Sequence, residues 1–199
     1  GLPATWWLAL LPASLGRRRE ALRRQLGWRG FGALGGDLLV LPATVPLALD
    51  RLQRELPELG EALLLHAAML QDTAPETLRA LARTAWNLDE LAARYEDFLA
   101  RWRDLADALA TGAVIGDEDA LVGRVLLIHD WRRIALRDPQ LPAELLPEAW
   151  AGHRAFATCR DLYARLLAPA EAHLRRCLET LEGTWPTLPA SRRGRLELG

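Results

Sequence analysis

The chain changes its hydrophobic period once, near Asp72 and Thr73, and that change limits the folds open to it. Before the change, short apolar runs alternate with charged amphipathic stretches, and proline or glycine punctuates each junction. After it, Leu88, Leu91, Tyr95, Phe98, Trp102, Leu105 and Leu109 recur at alternating spacings of three and four, the mark of one face of a long helix. The pattern predicts an α+β chain: a mixed domain over residues 1–72, an all-α helical bundle over 73–183, and a loose tail over 184–199.

Within the first part the elements follow from the punctuation. Trp6 to Leu11 suits a buried strand ended by Pro12, and Ser14 is placed to cap a helix whose inner face is Leu15, Leu22 and Leu26. Gly27 is expected to end that helix. Trp28 to Leu34 and Leu38 to Leu41 read as two strands joined through Gly35, Gly36 and Asp37, since adjacent glycines supply the positive φ a tight hairpin needs. Pro46 to about Leu56 reads as a second helix and Leu63 to Met69 as a fourth strand. The resulting β-α-β-β-α-β order is the ferredoxin-like arrangement.

In the second part, Asn87 and Glu90 form a capping-box-like start to the heptad helix, and Gly112 a stop. A further helix is expected from about Glu118 to Arg137, ended by Asp138-Pro139. Another carries Phe156, Cys159, Tyr163, Leu166, Ala170, Leu174, Cys177 and Leu181, interrupted or kinked at Pro169.

Composition narrows the class of function. The 199 residues carry 25 basic side chains, all arginine, against 26 acidic ones, which excludes binding of polyanions by bulk charge. Cys159 and Cys177 lie 18 positions apart in one helix, about 27 Å at the helical rise, so they do not pair. No signal-peptide pattern and no membrane-length apolar run is present, which points to a cytoplasmic chain without a membrane partner. Its start at Gly1 is what a tag scar or a trimmed terminus leaves.

Motifs for enzyme chemistry fail on context. Gly30-Phe31-Gly32-Ala33-Leu34-Gly35 fits the dinucleotide fingerprint by letter, but a helix precedes it and a strand follows, the reverse of what phosphate binding requires. His66, His129, His153 and His173 form no metal signature, and Ser14 and Ser191 sit in no nucleophile motif, so neither a catalytic residue nor a metal is assigned. The stretch Arg17 to Arg29, with six arginines and the single acid Glu20, reads as a solvated helix face in preference to a phosphate contact.

One segment resists a bland reading. On the helix over 118–137, Leu121, Val122, Val125, Ile128 and Leu136 define an apolar arc, and His129 and Arg132 fall inside it. A buried arginine needs a counter-charge. Either Glu96 or Asp97 pairs with it internally, or Arg132 reaches an anionic ligand with help from Arg133 and Arg137.

Trp28-Arg29-Gly30-Phe31-Gly32 after the arginine-rich helix, His129-Asp130-Trp131-Arg132-Arg133, the run from Arg137-Asp138-Pro139-Gln140 through Leu141-Pro142-Ala143-Glu144-Leu145-Leu146-Pro147, and Trp150-Ala151-Gly152 together resemble the PaaX family of phenylacetate-degradation repressors. The likeness covers that family's middle and carboxy-terminal domains. It implies a bacterial transcriptional repressor that leaves its operator DNA when phenylacetyl-coenzyme A binds. It also implies a middle domain akin to CRISPR-associated nucleases and used for homodimerisation, with operator contact made by an amino-terminal winged helix that this chain does not contain. Those nucleases carry an aspartate at the end of the first strand, where this chain has Leu11-Pro12-Ala13, so nuclease activity is not expected.

An acyl-coenzyme A presents phosphates at one end and, here, an aromatic ring at the other, so arginines beside an aromatic-lined cavity match both. His129, Arg132 and Arg133 are the expected effector contacts, with Trp150 and His153 nearby. The alternatives are an acyl-coenzyme A-handling enzyme, which lacks a nucleophile and a metal set, and a pure oligomerisation module.

Overall fold

The computed structural model describes residues 2–69 and 73–180; the tail expected over 184–199, Leu181 and the boundary residue Asp72 lie outside the described residues. Four strands, β1 (Thr5–Leu10), β2 (Gly32–Gly35), β3 (Leu38–Pro42) and β4 (Leu63–Ala68), form one antiparallel sheet in the order β2-β3-β1-β4. Helix α1 (Arg18–Gly27) joins β1 to β2, and α2 (Leu49–Glu55) joins β3 to β4. The alternation of the strands decides the core. Trp7 opposite Leu41, and Ala9 opposite Leu39 and Leu64, share one face. Leu22 and Leu26 of α1 and Leu52 and Leu56 of α2 belong to the same core as Ala9, Leu39 and Leu41. The other face carries Leu8 and Leu10 of β1 with Leu63 and Leu65 of β4.

Several boundaries differ from expectation for local reasons. Ser14 does not cap α1, because a 3-10 turn over Ala13–Leu15 and a Gly16 at φ 52° intervene, and no side chain caps the helix at Arg17. Helix α1 does end at Gly27, as expected. The chain continues in helical turns until Gly30, whose φ of 94° lets the Phe31 N–H return to the Leu26 carbonyl at 3.1 Å. The strand expected from Trp28 therefore begins only at Gly32. The hairpin glycines behave as expected, with Gly35 at φ 107° and Gly36 at φ 53°.

Helix α3 (Pro75–Ala85) has no counterpart in the periodicity reading; Pro75 opens it, and Leu78 and Ala82 are its buried residues. Residue Trp86 follows it directly, and its ring lies over Gly32, where a Cβ would stand 2.5 Å from the indole. The same indole N–H donates to the Gly30 carbonyl at 2.7 Å.

The heptad helix is α4 (Leu88–Ala110), and Leu88, Leu91, Tyr95, Phe98, Trp102 and Leu109 are buried as the spacing predicts. Asn87 donates to Glu90 at 2.6 Å at its start. Helix α5 covers Asp117–Ala135, and α6 covers Ala151–Thr180 without interruption at Pro169. The buried line of α6 is Ala155, Cys159, Leu162, Leu166 and Ala170, so Leu174 and Cys177 of the expected line are exposed.

Two compact units divide the chain. The first holds residues 1–103 and 130–158; the second holds 104–129 and the described residues from 159. In the second, the Arg124 guanidinium lies 4.3 Å from the centre of the Tyr163 ring and donates to its hydroxyl, and Arg165 donates to the Leu109 carbonyl at 3.1 Å.

Two glycine substitutions separate contact from propensity. Gly32→Ala should lower the unfolding free energy by about 1–3 kcal/mol, since the new methyl collides with a ring that is held by its hydrogen bond to the Gly30 carbonyl. Gly27→Ala, with nothing within 4 Å of the new carbon, should raise it by up to about 1 kcal/mol. Urea titrations of both variants check this, and equal midpoints would refute the role of the Trp86 seat.

Candidate functional site

Helix α5 does not present the arc its apolar residues suggested. Its buried residues are Ala120, Leu127, Trp131 and Ile134, whereas Val122, Val125 and Leu136 are exposed. Apolar residues occur on nearly every side of this helix, so their spacing alone does not choose the inner face. The indole of Trp131 does, by packing on Phe98 at 5.6 Å and on Phe156 at 5.9 Å between ring centres. Arg132 is consequently exposed and needs no buried counter-charge. Among the described residues neither Glu96 nor Asp97 pairs with it, and Glu96 pairs with Arg154 instead.

The expected effector residues fall in different settings. His129 is an exposed residue of the second unit, while Arg132, Arg133, Trp150 and His153 belong to the first. Trp150 is part of the core, edge-on to Tyr95 at 5.8 Å. Gly152 permits that packing, since a Cβ there would stand 2.4 Å from the indole nitrogen. His153 is exposed and its backbone N–H returns to the Trp150 carbonyl at 3.2 Å, so it serves the first turn of α6.

Arg133 lies on a shallow groove of about 160 Å³ that Arg94, Asp97, Phe98 and Arg101 of α4 line together with Asp130 and Ile134 of α5. Asp130 holds the floor: its side chain is 18% exposed, accepts the Trp102 indole N–H at 3.3 Å and faces Arg101 at 3.6 Å. Arg94 is tied to Glu90, but Arg133 has no ion-pair partner among the described residues. A groove of this size holds one phosphate or carboxylate group, with guanidinium donors on both walls. Arg94 and Arg101 were not singled out from sequence. Their one-heptad spacing on the flank of the α4 seam was a signal, but the facing helix was not knowable from it.

The Arg137–Pro147 segment is anchored from within the first unit. The Tyr95 hydroxyl donates to the Asp138 carboxylate, and the Gln140 backbone N–H donates to the other Asp138 oxygen at 2.7 Å. Burial, and then the neighbouring carboxylate, push the Tyr95 phenol far above its usual range. Burial alone pushes the Cys159 thiol up to about 12, which leaves it unreactive at neutral pH. Among the described residues no three metal-donor side chains are grouped to hold an ion.

The arginines of α1 are mostly committed. Arg19 and Arg23 each reach Asp37 at 2.9 Å and Arg18 reaches Glu61 at 2.6 Å; beyond the helix, Arg29 reaches Glu55 at 2.8 Å. Arg23 also donates to the Gly36 carbonyl, so this helix clamps the β2–β3 turn. The Gly-rich fingerprint is likewise structural, with Gly30 closing the turn that follows α1, Gly32 under Trp86 and Gly35 in the hairpin turn.

Residues 86–176 match the family described as the PaaX-like protein C-terminal domain. The chain is 35% identical over 182 residues to the transcriptional repressor PaaX of Escherichia coli (strain K12), a match that covers 90% of this chain and 58% of the repressor. Among solved structures, the uncharacterized protein Rv0674 from Mycobacterium tuberculosis has a similar fold, with a TM-score of 0.60 at 24% identity, over 85% of this chain and 63% of that one. No helix among the described residues is long and apolar enough to cross a membrane.

The Tyr95–Asp138 bond gives a pH signature. A phenol whose pKa is raised by folding contributes stability that is whole below its unfolded value of 10.0 and is lost as pH rises beyond it. Tyr95→Phe should cost about 1.5–3 kcal/mol at pH 7 and should flatten the loss of stability above pH 10. Denaturant midpoints from pH 7 to 11 test this; parallel profiles for the two proteins would refute it.

Proposed function

We propose that the chain, similar to the PaaX family over residues 86–176 and to a repressor of that family along 90% of its length, is the dimerising and effector-sensing part of a cytoplasmic transcriptional repressor of an aromatic-acid catabolic operon. The observation that carries this is the 35% identity to a transcriptional repressor along 90% of the chain. The chain spans 58% of that relative's length, and operator contact is assigned to a winged helix outside the matched part. Sensing is assigned to the helical part over 73–183 and dimerisation to the sheet-bearing part over 1–72, read as ferredoxin-like. The strand order β2-β3-β1-β4, with α1 and α2 sharing one core, supports that reading.

The effector is phenylacetyl-coenzyme A. A thioester of this kind offers several phosphates, and Arg133 on its groove, with Arg132 exposed beside it in sequence, supplies guanidinium donors not spent on carboxylates. His129 and His153 are exposed and available to the ligand, whereas Trp150 acts through the Tyr95 packing it completes. Repression is relieved if the thioester binds more tightly to the conformation that holds DNA poorly.

Dimerisation is assigned to the sheet face opposite the helices and to its β4 edge. Leu10, Leu63 and Leu65 are 45%, 52% and 44% exposed there. Strand β4 pairs with β1 alone and carries neither proline nor a charged residue, the usual protections of an edge. A twofold pairing buries both features at once.

Two measurements test these assignments. Calorimetric titration should show about micromolar binding of phenylacetyl-coenzyme A, with free coenzyme A and phenylacetate much weaker, and Arg133→Ala should weaken it about tenfold. No binding to folded protein would overturn the sensing role, and unchanged affinity in Arg133→Ala would remove that residue from it. Sedimentation equilibrium should find a dimer that Leu65→Arg converts to a folded monomer, and a wild-type monomer at high concentration would refute the dimer.

A further inference from the structure

The first unit carries a second cavity, of about 420 Å³, that the effector reading does not use. Trp28, just beyond the end of α1, stands on its rim with 79% of its surface exposed, the largest exposed aromatic surface among the described residues. Pro46, Leu47 and Leu52 form an apolar floor. Glu55, also on the lining, receives Arg29 at 2.8 Å and Arg51 at 2.6 Å. Two guanidiniums against one carboxylate leave this cluster with a net positive charge.

Each feature asks for a different group on one ligand. An indole face open to water is a stacking platform for a flat ring. Arg51 spends its Nε on Glu55, and its terminal nitrogens, on a side chain 72% exposed, remain donors for an anion. Glu55 stays ionised beside Arg51 and Arg29, which hold its carboxyl below the usual range, so it can also accept from hydroxyl groups. A flat ring, hydroxyl donors and a phosphate on one molecule describe a nucleotide.

We infer that the cavity beside Trp28 binds a purine nucleotide, with the base on the Trp28 indole, the ribose hydroxyls toward Glu55 and the phosphate on Arg51. The same chemistry is offered by a free nucleotide and by the adenylate end of a coenzyme A thioester. The inference does not depend on the acyl-sensing role, because its probe carries no acyl chain and its cavity is a different one.

The test titrates the chain with adenosine 3′,5′-bisphosphate, adenosine and inorganic pyrophosphate, and then with the thioester. The bisphosphate should bind at or below about millimolar concentration, and Trp28→Ala should weaken it about tenfold. Arg51→Gln should weaken it severalfold, and adenosine or pyrophosphate alone should bind about tenfold more weakly than the whole nucleotide. Trp28 is exposed, so circular dichroism should show both variants folded. A thioester that binds more tightly than the bisphosphate and loses affinity with Trp28→Ala identifies coenzyme A as the source; equal affinities identify a free nucleotide. No bisphosphate binding at several times the expected concentration, or binding that Trp28→Ala leaves unchanged, overturns the inference. A thioester that binds wild type and Trp28→Ala alike, while the bisphosphate loses affinity in the variant, identifies a free nucleotide as the occupant and leaves the sensing role standing.

Discussion

The seat of Trp86 on Gly32 is the contact on which the first unit depends. Strand β2 is an edge of the sheet, and it offers a patch without a side chain where a ring can lie flat on the backbone. The indole fills that patch and also satisfies the Gly30 carbonyl with its N–H. One residue therefore protects a sheet edge, caps a helix-closing turn and fixes the point from which α4 departs. Because β2 is covered in this way, β4 is left as the edge with no side-chain protection, and the dimer assignment follows from that asymmetry.

Charge is kept at the surface throughout. Among the described residues no charged side chain is buried, and three of the four arginines of α1 are spent on Asp37 and Glu61. Pairs of this exposure contribute little stability each, since water and salt screen them. Their effect is positional: Arg19 and Arg23 hold the β2–β3 turn that in turn holds Gly32 under Trp86. Several other arginines have no carboxylate partner among the described residues. Arg133 on the α4–α5 groove is the clearest of these, and the ligand assigned to it is an anion for that reason.

Legibility tracked the strength of the local signal. The α4 seam was readable residue by residue, because alternating spacings of three and four over three heptads admit one buried face. The strands of the sheet and their hairpin were readable to within a few residues from Pro12, Gly35, Gly36 and Pro42. Helix α5 was not, since Leu121, Val122, Val125 and Leu136 are as apolar as the residues that pack, and the choice fell to aromatic neighbours contributed by α4 and α6. Arg132 was misplaced by the same cause. Trp150 suited a pocket wall by residue type, but its edge-on contact with Tyr95 makes it core.

The sequence by itself determined the two periods, the antiparallel hairpin, the long α4 and the motifs that relate the chain to a repressor family, because each is a property of neighbouring residues. Only the tertiary structure decided what those motifs do. Gly30 and Gly32 serve a tryptophan more than fifty residues away, Asp138 serves Tyr95, and Gly152 makes room for Trp150. It also decided which arginines are spent and which remain, since an ion pair between Arg18 and Glu61 or Arg29 and Glu55 exists only once the chain has brought distant segments together. Backbone preference acts over a few residues and is written locally, whereas ring packing and charge pairing depend on distance in space.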